Sequence, residues 1–133
     1  MDCIFCKIIN KQIPNHTVYE DDNVLAFLDI FPHAKGHTVV IPKMHRENFV
    51  ALSKEEMSSL ILGVRKAMDR IQTVLQPDGF NVGWNENLAG GQAVPHLHVH
   101  IFPRYEGDGG GSVHSIIKNP GDISVKDLAD KFK

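Results

Sequence analysis

The chain has 133 residues, of which 42% are hydrophobic and 23% are charged, and its formal net charge is −2. This length suits one domain with one core. The charge excludes the basic field that binds a nucleic-acid backbone, and no apolar run approaches the about 20 residues of a membrane span. We expect a single domain over residues 1–133, with a C-terminal tail over about residues 105–133.

The predicted elements, in chain order, are short strands around one long helix. Ser53 opens the long helix, because Ser53-x-x-Glu56 fits a capping box and apolar residues follow at helical spacing until Pro77. The pattern also predicts a short N-terminal helix at Cys3–Asn10, strands at Thr17–Glu20, Val24–Ile30, His37–Ile41, Phe80–Asn85 and Val94–Phe102, and a terminal helix at Ser124–Phe132. Together these elements predict an α+β fold with a mainly antiparallel five-stranded sheet.

The N-terminus lacks the basic start and long apolar stretch of a secretory signal. We therefore expect a cytoplasmic, reducing location, where the two cysteines are thiols or metal ligands rather than a disulfide. The spacing Cys3-x-x-Cys6 brings both thiols within reach of one tetrahedral ion. His45 and His96 are the candidates for the third and fourth ligands. The alternative is a pair of ordinary thiols on a short helix.

Three histidines alternate with aliphatic residues in the segment His96-Leu97-His98-Val99-His100-Ile101-Phe102. Alternation has the period of a strand, so the imidazoles are expected on one face and the aliphatic residues on a buried face. Residues two apart lie about 6.6 Å from each other and residues four apart about 13 Å, so three imidazoles do not readily share one metal. The spacing favours divided roles, with one imidazole as nucleophile and its neighbours orienting it.

The polar loop before this segment is a candidate anion site. Gly90 and Gly91 let the backbone approach a ligand and turn its N–H groups toward an anion. Gln92 and Asn85 add side-chain amides. These neutral donors can hold a phosphate without a positive surface.

The segment Asn85–Arg104 resembles the signature of the histidine triad (HIT) family, and the similarity extends to Cys3–Ile9, Leu25–Ile30 and Gly36–Lys43. The resemblance is strongest to the nucleoside phosphoramidase-like branch. It implies a hydrolase or transferase that acts at the α-phosphate of a purine nucleotide conjugate, either a phosphoramidate or a dinucleoside polyphosphate, and releases the nucleoside monophosphate. It also implies a homodimer whose two sheets join.

The resemblance assigns roles to individual residues. His98 matches the nucleophile that forms a nucleotidyl-histidine intermediate, His100 contacts the phosphate, and His37 is hydrogen-bonded within the site. Asp29 matches the carboxylate that accepts the ribose hydroxyls. The phosphate cradle corresponds to Asn85, Gly91, Gln92, Ala93 and Val94. The base pocket corresponds to Ile4, Phe5, Ile8, Phe27, Leu28, Ile30 and Val39, which as apolar residues also suit a core.

Two further implications concern position 93 and the cysteines. Ala93 stands where many phosphoramidases of the family carry a serine, which weakens the expectation of phosphoramidate preference. Some family members carry a structural zinc whose ligands include the first triad histidine, so a Zn²⁺ site at Cys3, Cys6, His45 and His96 is expected.

The remaining histidines, His16, His33 and His114, are expected at the surface, although His114 could reach a partner's site in the dimer. Two other functions stay open at this point. One is a metal-dependent enzyme with a catalytic metal on the histidine row. The other is a nucleotide-binding scaffold with little turnover.

Overall fold

The computed structural model describes residues 2–133 and contains one five-stranded sheet with a helix on each face. The strands are β1 (Thr17–Glu20), β2 (Val24–Leu28), β3 (Thr38–Pro42), β4 (Gly79–Trp84) and β5 (Val99–Arg104). The helices are α1 (Ile4–Ile9), α2 (Lys54–Leu75) and α3 (Val125–Asp130). All neighbouring strands are antiparallel, in the order β1-β2-β3-β5-β4. The predicted fold class is confirmed.

The long helix α2 begins at the predicted capping box. The Ser53 hydroxyl accepts the N–H of Glu56 at 3.1 Å, and the Glu56 carboxylate accepts the N–H of Ser53 at 2.8 Å. One face of α2 packs on the sheet through Leu60, Val64, Ala67 and Ile71. Gly63 lies against Val24, where a larger residue would clash with the valine side chain.

Helix α1 covers part of the opposite face of the sheet. There it packs on a second buried cluster, which consists of Ile8, Leu25, Phe27, Val39 and Ile41. Strands β2 and β3 are therefore buried on both faces at their centres, whereas β5 is fully buried on one face only. His96 and His98 are buried beside α1, and the face is open from His100 onward.

Three predicted elements have an end that is wrong by two residues or more, and the ends predicted for α1, β3 and β4 differ by one residue. Strand β5 begins at Val99 rather than Val94, because Pro95 has no N–H and the N–H of Leu97 bonds to the carbonyl of Arg46 at 2.8 Å instead of joining the ladder. Strand β2 ends at Leu28 rather than Ile30. The terminal helix is shorter than predicted, with Ser124 as its N-cap.

Short 3-10 turns, which the sequence pattern did not indicate, lie at Phe49–Ala51, Leu88–Gly90 and Val113–Ser115. Every residue from Glu106 to Lys133 is exposed. None of the helices described in residues 2–133 has the length and apolar character that crossing a bilayer requires.

Candidate active site and metal cluster

The histidine row separates two faces as its alternation predicted. Leu97, Val99 and Ile101 are buried in the cluster beneath α2. On the other face, the ring of Phe5 in α1 packs edge-on against His96 and His98, with centroid distances of 5.7 and 5.1 Å. The alternation therefore continues through an extended segment that only partly belongs to β5.

The hydrogen bonds of His98 determine which of its nitrogens is free. Its Nδ1 lies 2.8 Å from the carbonyl oxygen of His96. A carbonyl only accepts, so Nδ1 carries the proton and Nε2 has the lone pair. Nε2 has no hydrogen-bond partner within residues 2–133, and no buried side-chain nitrogen or oxygen there lacks one. Nε2 is therefore accessible, as a nucleophile must be.

A second chain of hydrogen bonds orients His100. The backbone N–H of His33 donates to Nδ1 of His37 at 3.2 Å, so Nε2 of His37 carries the proton. That Nε2 lies 3.0 Å from Nδ1 of His100 and donates to it. His100 is consequently protonated on Nε2. The Asp29 carboxylate, 3.7 Å from Nε2 of His37, favours the proton at that position.

Burial keeps the imidazoles of His37 and His100 neutral near pH 7. Burial, together with the neighbouring His98 and His37, lowers the pKa of His100 to about 4. Burial also lowers the pKa of His37, although Asp29 opposes the effect. Near neutral pH the site thus presents an uncharged N–H donor on His100 beside the ring of His98, with ring centroids 5.1 Å apart.

These tautomers argue against a catalytic metal on the histidine row. The nitrogens of His37 and His100 and the Asp29 carboxylate lie within 4.8 Å of one another, as a metal site would require. However, Nδ1 of His37 already accepts the His33 N–H. Metal binding at Nε2 would leave that imidazole with no proton of its own, and histidine ligands are ordinarily neutral.

In the polar loop that was predicted to bind an anion, the side-chain amide of Gln92 is bonded to the protein itself. The Gln92 side chain donates to the carbonyls of Glu47 and Val94 at 2.6 and 3.0 Å, and it accepts the N–H of Asn87 at 2.8 Å. Gln92 therefore maintains the shape of the loop. Within residues 2–133 the backbone N–H groups of Ala93 and Val94 have no partner.

Asn85 does line the open groove on this face. Its amide makes no side-chain hydrogen bond to residues 2–133, which leaves it free for a ligand. Gly91, with a φ of 94°, lies against this amide. Of the predicted phosphate cradle, the Asn85 amide and the backbone N–H groups of Ala93 and Val94 are therefore free to donate. Gln92 supports the loop that carries them.

The predicted base-pocket residues divide into two groups. Ile8, Phe27 and Val39 belong to the buried cluster under α1, with Phe5 packed against it. The other three, Ile4, Leu28 and Ile30, are exposed.

An open groove of about 810 Å³ extends from His37 and His100 along the sheet. Asp29 lines it, but one of its oxygens already accepts the N–H of Phe31 at 2.8 Å. Phe102 and Arg104 are among the groove residues that were not predicted. Phe102 stacks on His100 with centroids 5.6 Å apart, and it continues the alternating period. Arg104 follows two residues later, where the same period could have identified it.

Cys3, Cys6, His45 and His96 form the predicted cluster, with donor atoms within 4.8 Å of one another. Sγ of Cys3 lies 3.4 Å from Nδ1 of His96, and Sγ of Cys6 lies 3.3 Å from Nδ1 of His45. The two Nδ1 atoms are 3.1 Å apart. In a tetrahedral sulfur and nitrogen site, ligand atoms are about 3.3 to 3.8 Å apart, so this donor set fits a metal ion.

The remaining nitrogen of His96 supports this interpretation. Nε2 lies 2.9 Å from the carbonyl of Pro42 and donates to it, so Nδ1 has its lone pair directed at the sulfurs. A backbone acceptor behind a ligating histidine is the usual arrangement in metal sites. Burial and the neighbouring Cys3 raise the pKa of the Cys6 thiol, so holding two thiolates here requires a cation.

A family model described as HIT domain matches residues 10–107. The uncharacterized HIT-like protein MJ0866 of Methanocaldococcus jannaschii is 52% identical over 107 residues, which cover 80% of this chain and 82% of that protein. The crystal structure of a HIT family member from Bacillus subtilis has a TM-score of 0.85 and 43% identity, and the match covers 99% of this chain and 93% of that one. The adenylylsulfatase HINT3 of Arabidopsis thaliana is 36% identical over 107 residues, which cover 80% of this chain and 54% of that protein.

We expect the free energy of unfolding to decrease as the pH is lowered from about 6.5 to about 4. The folded pKa of His100, about 4, lies below the unfolded value of about 6.5. In this window the unfolded chain binds more protons, so acid favours unfolding. Urea denaturation across the window should give His100→Asn a slope shallower than wild type by up to about 1.4 kcal/mol per pH unit. Equal slopes would contradict a neutral, buried His100.

Proposed function

The chain belongs to the HIT domain family, and from this premise we propose that it hydrolyses or transfers the nucleotidyl group of a purine nucleotide conjugate. The reaction passes through a covalent nucleotidyl-histidine intermediate on His98. The observation that carries the proposal is the hydrogen bond between Nδ1 of His98 and the His96 carbonyl. It directs an accessible Nε2 lone pair outward, where an electrophile can approach.

In the first step Nε2 of His98 attacks the α-phosphorus, so a P–N bond forms and the bond from phosphorus to the leaving group breaks. The leaving group takes the electron pair and a proton from solvent water, and the water that attacks in the second step returns a proton to solvent. In the second step water attacks the phosphorus, the P–N bond breaks, and the nucleoside monophosphate leaves with His98 restored. Two easier displacements replace one difficult one. The positive charge on the substituted imidazole is stabilised by the His96 carbonyl.

Neutral donors stabilise the charge that develops on the phosphate. The Nε2–H of His100, the amide of Asn85 and the backbone N–H groups of Ala93 and Val94 are free to do so. Fixed donors that need no reorganisation lower the barrier to such a step. Because His100 keeps its proton on Nε2, it acts as a donor and does not compete with His98 as a nucleophile.

The leaving group can be an amine, as in a phosphoramidate, or a nucleotide, as in a dinucleoside polyphosphate. Ala93 has no hydroxyl to bond the scissile group, so phosphoramidates have no added advantage. The relative named as an adenylylsulfatase adds sulfate to the leaving groups to be tested. These conjugates share the α-phosphate and ribose, which are the parts this site is proposed to recognise.

The nucleoside is proposed to lie beside α1 and the end of β2. Exposed apolar side chains at Ile4, Leu28 and Ile30 offer a surface for the base. Asp29 offers the ribose hydroxyls the oxygen that faces His37, since its other oxygen holds the N–H of Phe31.

We propose that the metal of the Cys3, Cys6, His45 and His96 cluster is a structural Zn²⁺. Thiolate and imidazole ligands in a tetrahedral arrangement suit zinc over harder ions. The ion would join α1 to the segment that carries His98. Thiolate ligands also need a reducing compartment, which supports the expected cytoplasmic location.

We further propose that two copies pair through β4. This strand is at one end of the sheet order, so one side of its backbone has no partner strand within residues 2–133. Its side chains Val82 and Trp84 are partly exposed and apolar, and Trp84 stacks on Phe49 with centroids 4.7 Å apart. A free antiparallel edge with apolar residues favours pairing with an identical edge.

His98→Ala should reduce turnover by several orders of magnitude while AMP binding persists, because nothing else supplies the covalent route. The assay is AMP release from a panel of phosphoramidate, dinucleoside polyphosphate and adenylylsulfate substrates. His16→Ala, at an exposed histidine, is the matched control and should retain activity. Acid-quenched mass spectrometry should detect a nucleotidyl adduct on wild type only. Full activity in His98→Ala would refute the proposed nucleophile.

Asp29→Ala should weaken AMP binding more than tenfold and leave the binding of 2′,3′-dideoxy-AMP nearly unchanged, because only AMP has the hydroxyls that the carboxylate accepts. Calorimetric titration of both ligands measures this difference. Asp22→Ala, which removes an exposed carboxylate elsewhere, should affect neither. An equal loss for both ligands would assign Asp29 to the local fold instead.

Protein purified without chelator should contain about one zinc per chain, and the double variant Cys3→Ser, Cys6→Ser should contain none. Loss of the ion should lower the melting temperature and weaken AMP binding, because α1 loses its link to His96, while some turnover remains. Elemental analysis and thermal denaturation measure these effects, and His16→Ala should keep its metal. A double variant that retains zinc would refute the ligand set.

A further inference from the structure

Asn87 has a backbone conformation that residues with a side chain rarely adopt. Its φ is 62° and its ψ is 175°, a combination that is populated almost only by glycine. Gln76 also has a positive φ, but its ψ of 51° places it in the left-handed helical region that ends many helices. A residue as strained as Asn87 persists only where the surrounding structure imposes its conformation. The bonds around Asn87 must therefore offset the cost of its backbone conformation.

The hydrogen bonds of Asn87 close the loop between Asn87 and Gln92. The carbonyl of Asn87 accepts the N–H groups of Gly90 and Gln92, both at 3.1 Å. Its own N–H donates to Oε1 of Gln92 at 2.8 Å, and its Oδ1 accepts the side-chain amide of Asn48 at 3.1 Å. Both backbone polar groups are thus bonded in the strained conformation, and Asn48 holds the side chain from outside the loop.

Packing does not hold this loop, because residues 87–91 are exposed and the loop borders an open recess of about 600 Å³. Hydrogen bonds to the neighbouring segment, residues 47–50, hold it instead. The Glu86 carboxylate accepts two backbone N–H groups of that segment at 2.9 and 3.2 Å, and Gln92 donates to one of its carbonyls at 2.6 Å. The chain is thus anchored immediately before Asn87 and again at Gln92, so Asn87 has little freedom to relax.

The free phosphate donors lie on either side of Asn87 in the chain. The Asn85 amide precedes it by two residues, and the N–H groups of Ala93 and Val94 follow it. Gly91 lies against the Asn85 amide, so the loop returns the chain to Asn85. Rotation of Asn87 to an ordinary negative φ would change the direction of the chain between these donors. A displacement of about 1 Å in a group that positions a substrate can reduce a rate about a hundredfold.

We propose that Asn87 is a positioning residue, whose strained backbone, held by Asn48 and Gln92, keeps the phosphate donors in place before a ligand binds. This inference rests on the proposed function, which assigns a phosphate to these donors. Donors that are fixed in advance need no reorganisation when charge develops on the ligand. The bonds of the loop offset the strain in the free protein, so the binding energy of the ligand is not used to order the loop.

The test compares the binding of AMP and adenosine to the full chain by calorimetric titration, since only AMP carries a phosphate. Asn87→Val should weaken AMP binding at least tenfold, because a β-branched residue is poorly tolerated at positive φ, and should change adenosine binding less than twofold. Asn87→Gly should bind AMP within threefold of wild type, since glycine adopts this conformation without strain. Leu88→Val places the same residue at the next position, where φ is not positive, and should bind both ligands like wild type.

Three results with these variants would overturn the proposal. One is unchanged AMP binding in Asn87→Val, and another is an equal loss of AMP and adenosine in that variant while it remains folded. The third is an Asn87→Gly variant that binds AMP as weakly as Asn87→Val, because the side chain rather than the backbone conformation would then be responsible.

A second test needs no β-branched residue and decides the matter even if Asn87→Val does not fold. Asn48→Ala removes the bond to the Asn87 side chain and should weaken AMP binding at least fivefold, with adenosine binding changed less than twofold. Adding Asn87→Gly should restore AMP binding to that of Asn87→Gly alone, because glycine needs no bond to hold this conformation. Unchanged AMP binding in Asn48→Ala, or a loss that persists in the double variant, would overturn the proposal.

Acid-quenched mass spectrometry distinguishes a failure of this proposal from a failure of the proposed function. Wild-type protein that binds AMP but forms no nucleotidyl adduct on His98 refutes the covalent mechanism, and the variants still decide the role of Asn87. An adduct on wild type together with normal AMP binding in Asn87→Val refutes the role of Asn87 alone. Wild-type protein that binds no AMP refutes both.

Discussion

The buried imidazole of His96 is the contact on which the rest of the site depends. Its Nε2 donates to the carbonyl of Pro42 at the end of β3, which directs Nδ1 toward Cys3, Cys6 and a second histidine. Its own carbonyl accepts the proton of His98. One residue with no exposed surface therefore joins the cluster of cysteines and histidines that could hold a metal and selects the tautomer of the neighbouring imidazole. The candidate metal cluster and the proposed nucleophile are therefore linked through His96, which belongs to the cluster and bonds to His98.

The site concentrates imidazoles without concentrating charge. Burial lowers the pKa of His37, His96 and His100, so these rings act as fixed dipoles near neutral pH. A dipole aimed at an anion needs no counterion and does not repel neighbouring rings as three cations would. The proposed phosphate site therefore needs only neutral N–H donors, which is compatible with the net charge of −2.

Much of the framework follows from short-range patterns. The capping box at Ser53 and the apolar face of α2 involve residues three or four apart, and the alternation at Leu97, Val99 and Ile101 involves residues two apart. Such patterns predicted the elements and which side of the histidine row is buried. The residues at which the strands and helices begin and end were less predictable. The strand β5 begins late because Leu97 bonds to a carbonyl of the loop at Arg46, a partner that no local spacing indicates.

The sequence by itself determined the α+β fold, the alternating row and the residue types that could bind a metal or a nucleotide. Only the tertiary structure decided which nitrogen of His98 is free, because that depends on a carbonyl brought into hydrogen-bond range. It also decided that Gln92 supports the loop, since one of its partners lies 45 residues away. The cluster likewise joins Cys3 to His96, 93 residues apart. Hydrogen bonds act over about 3 Å and coordination bonds over about 2 Å, and which distant residues come that close depends on the packing of the whole chain.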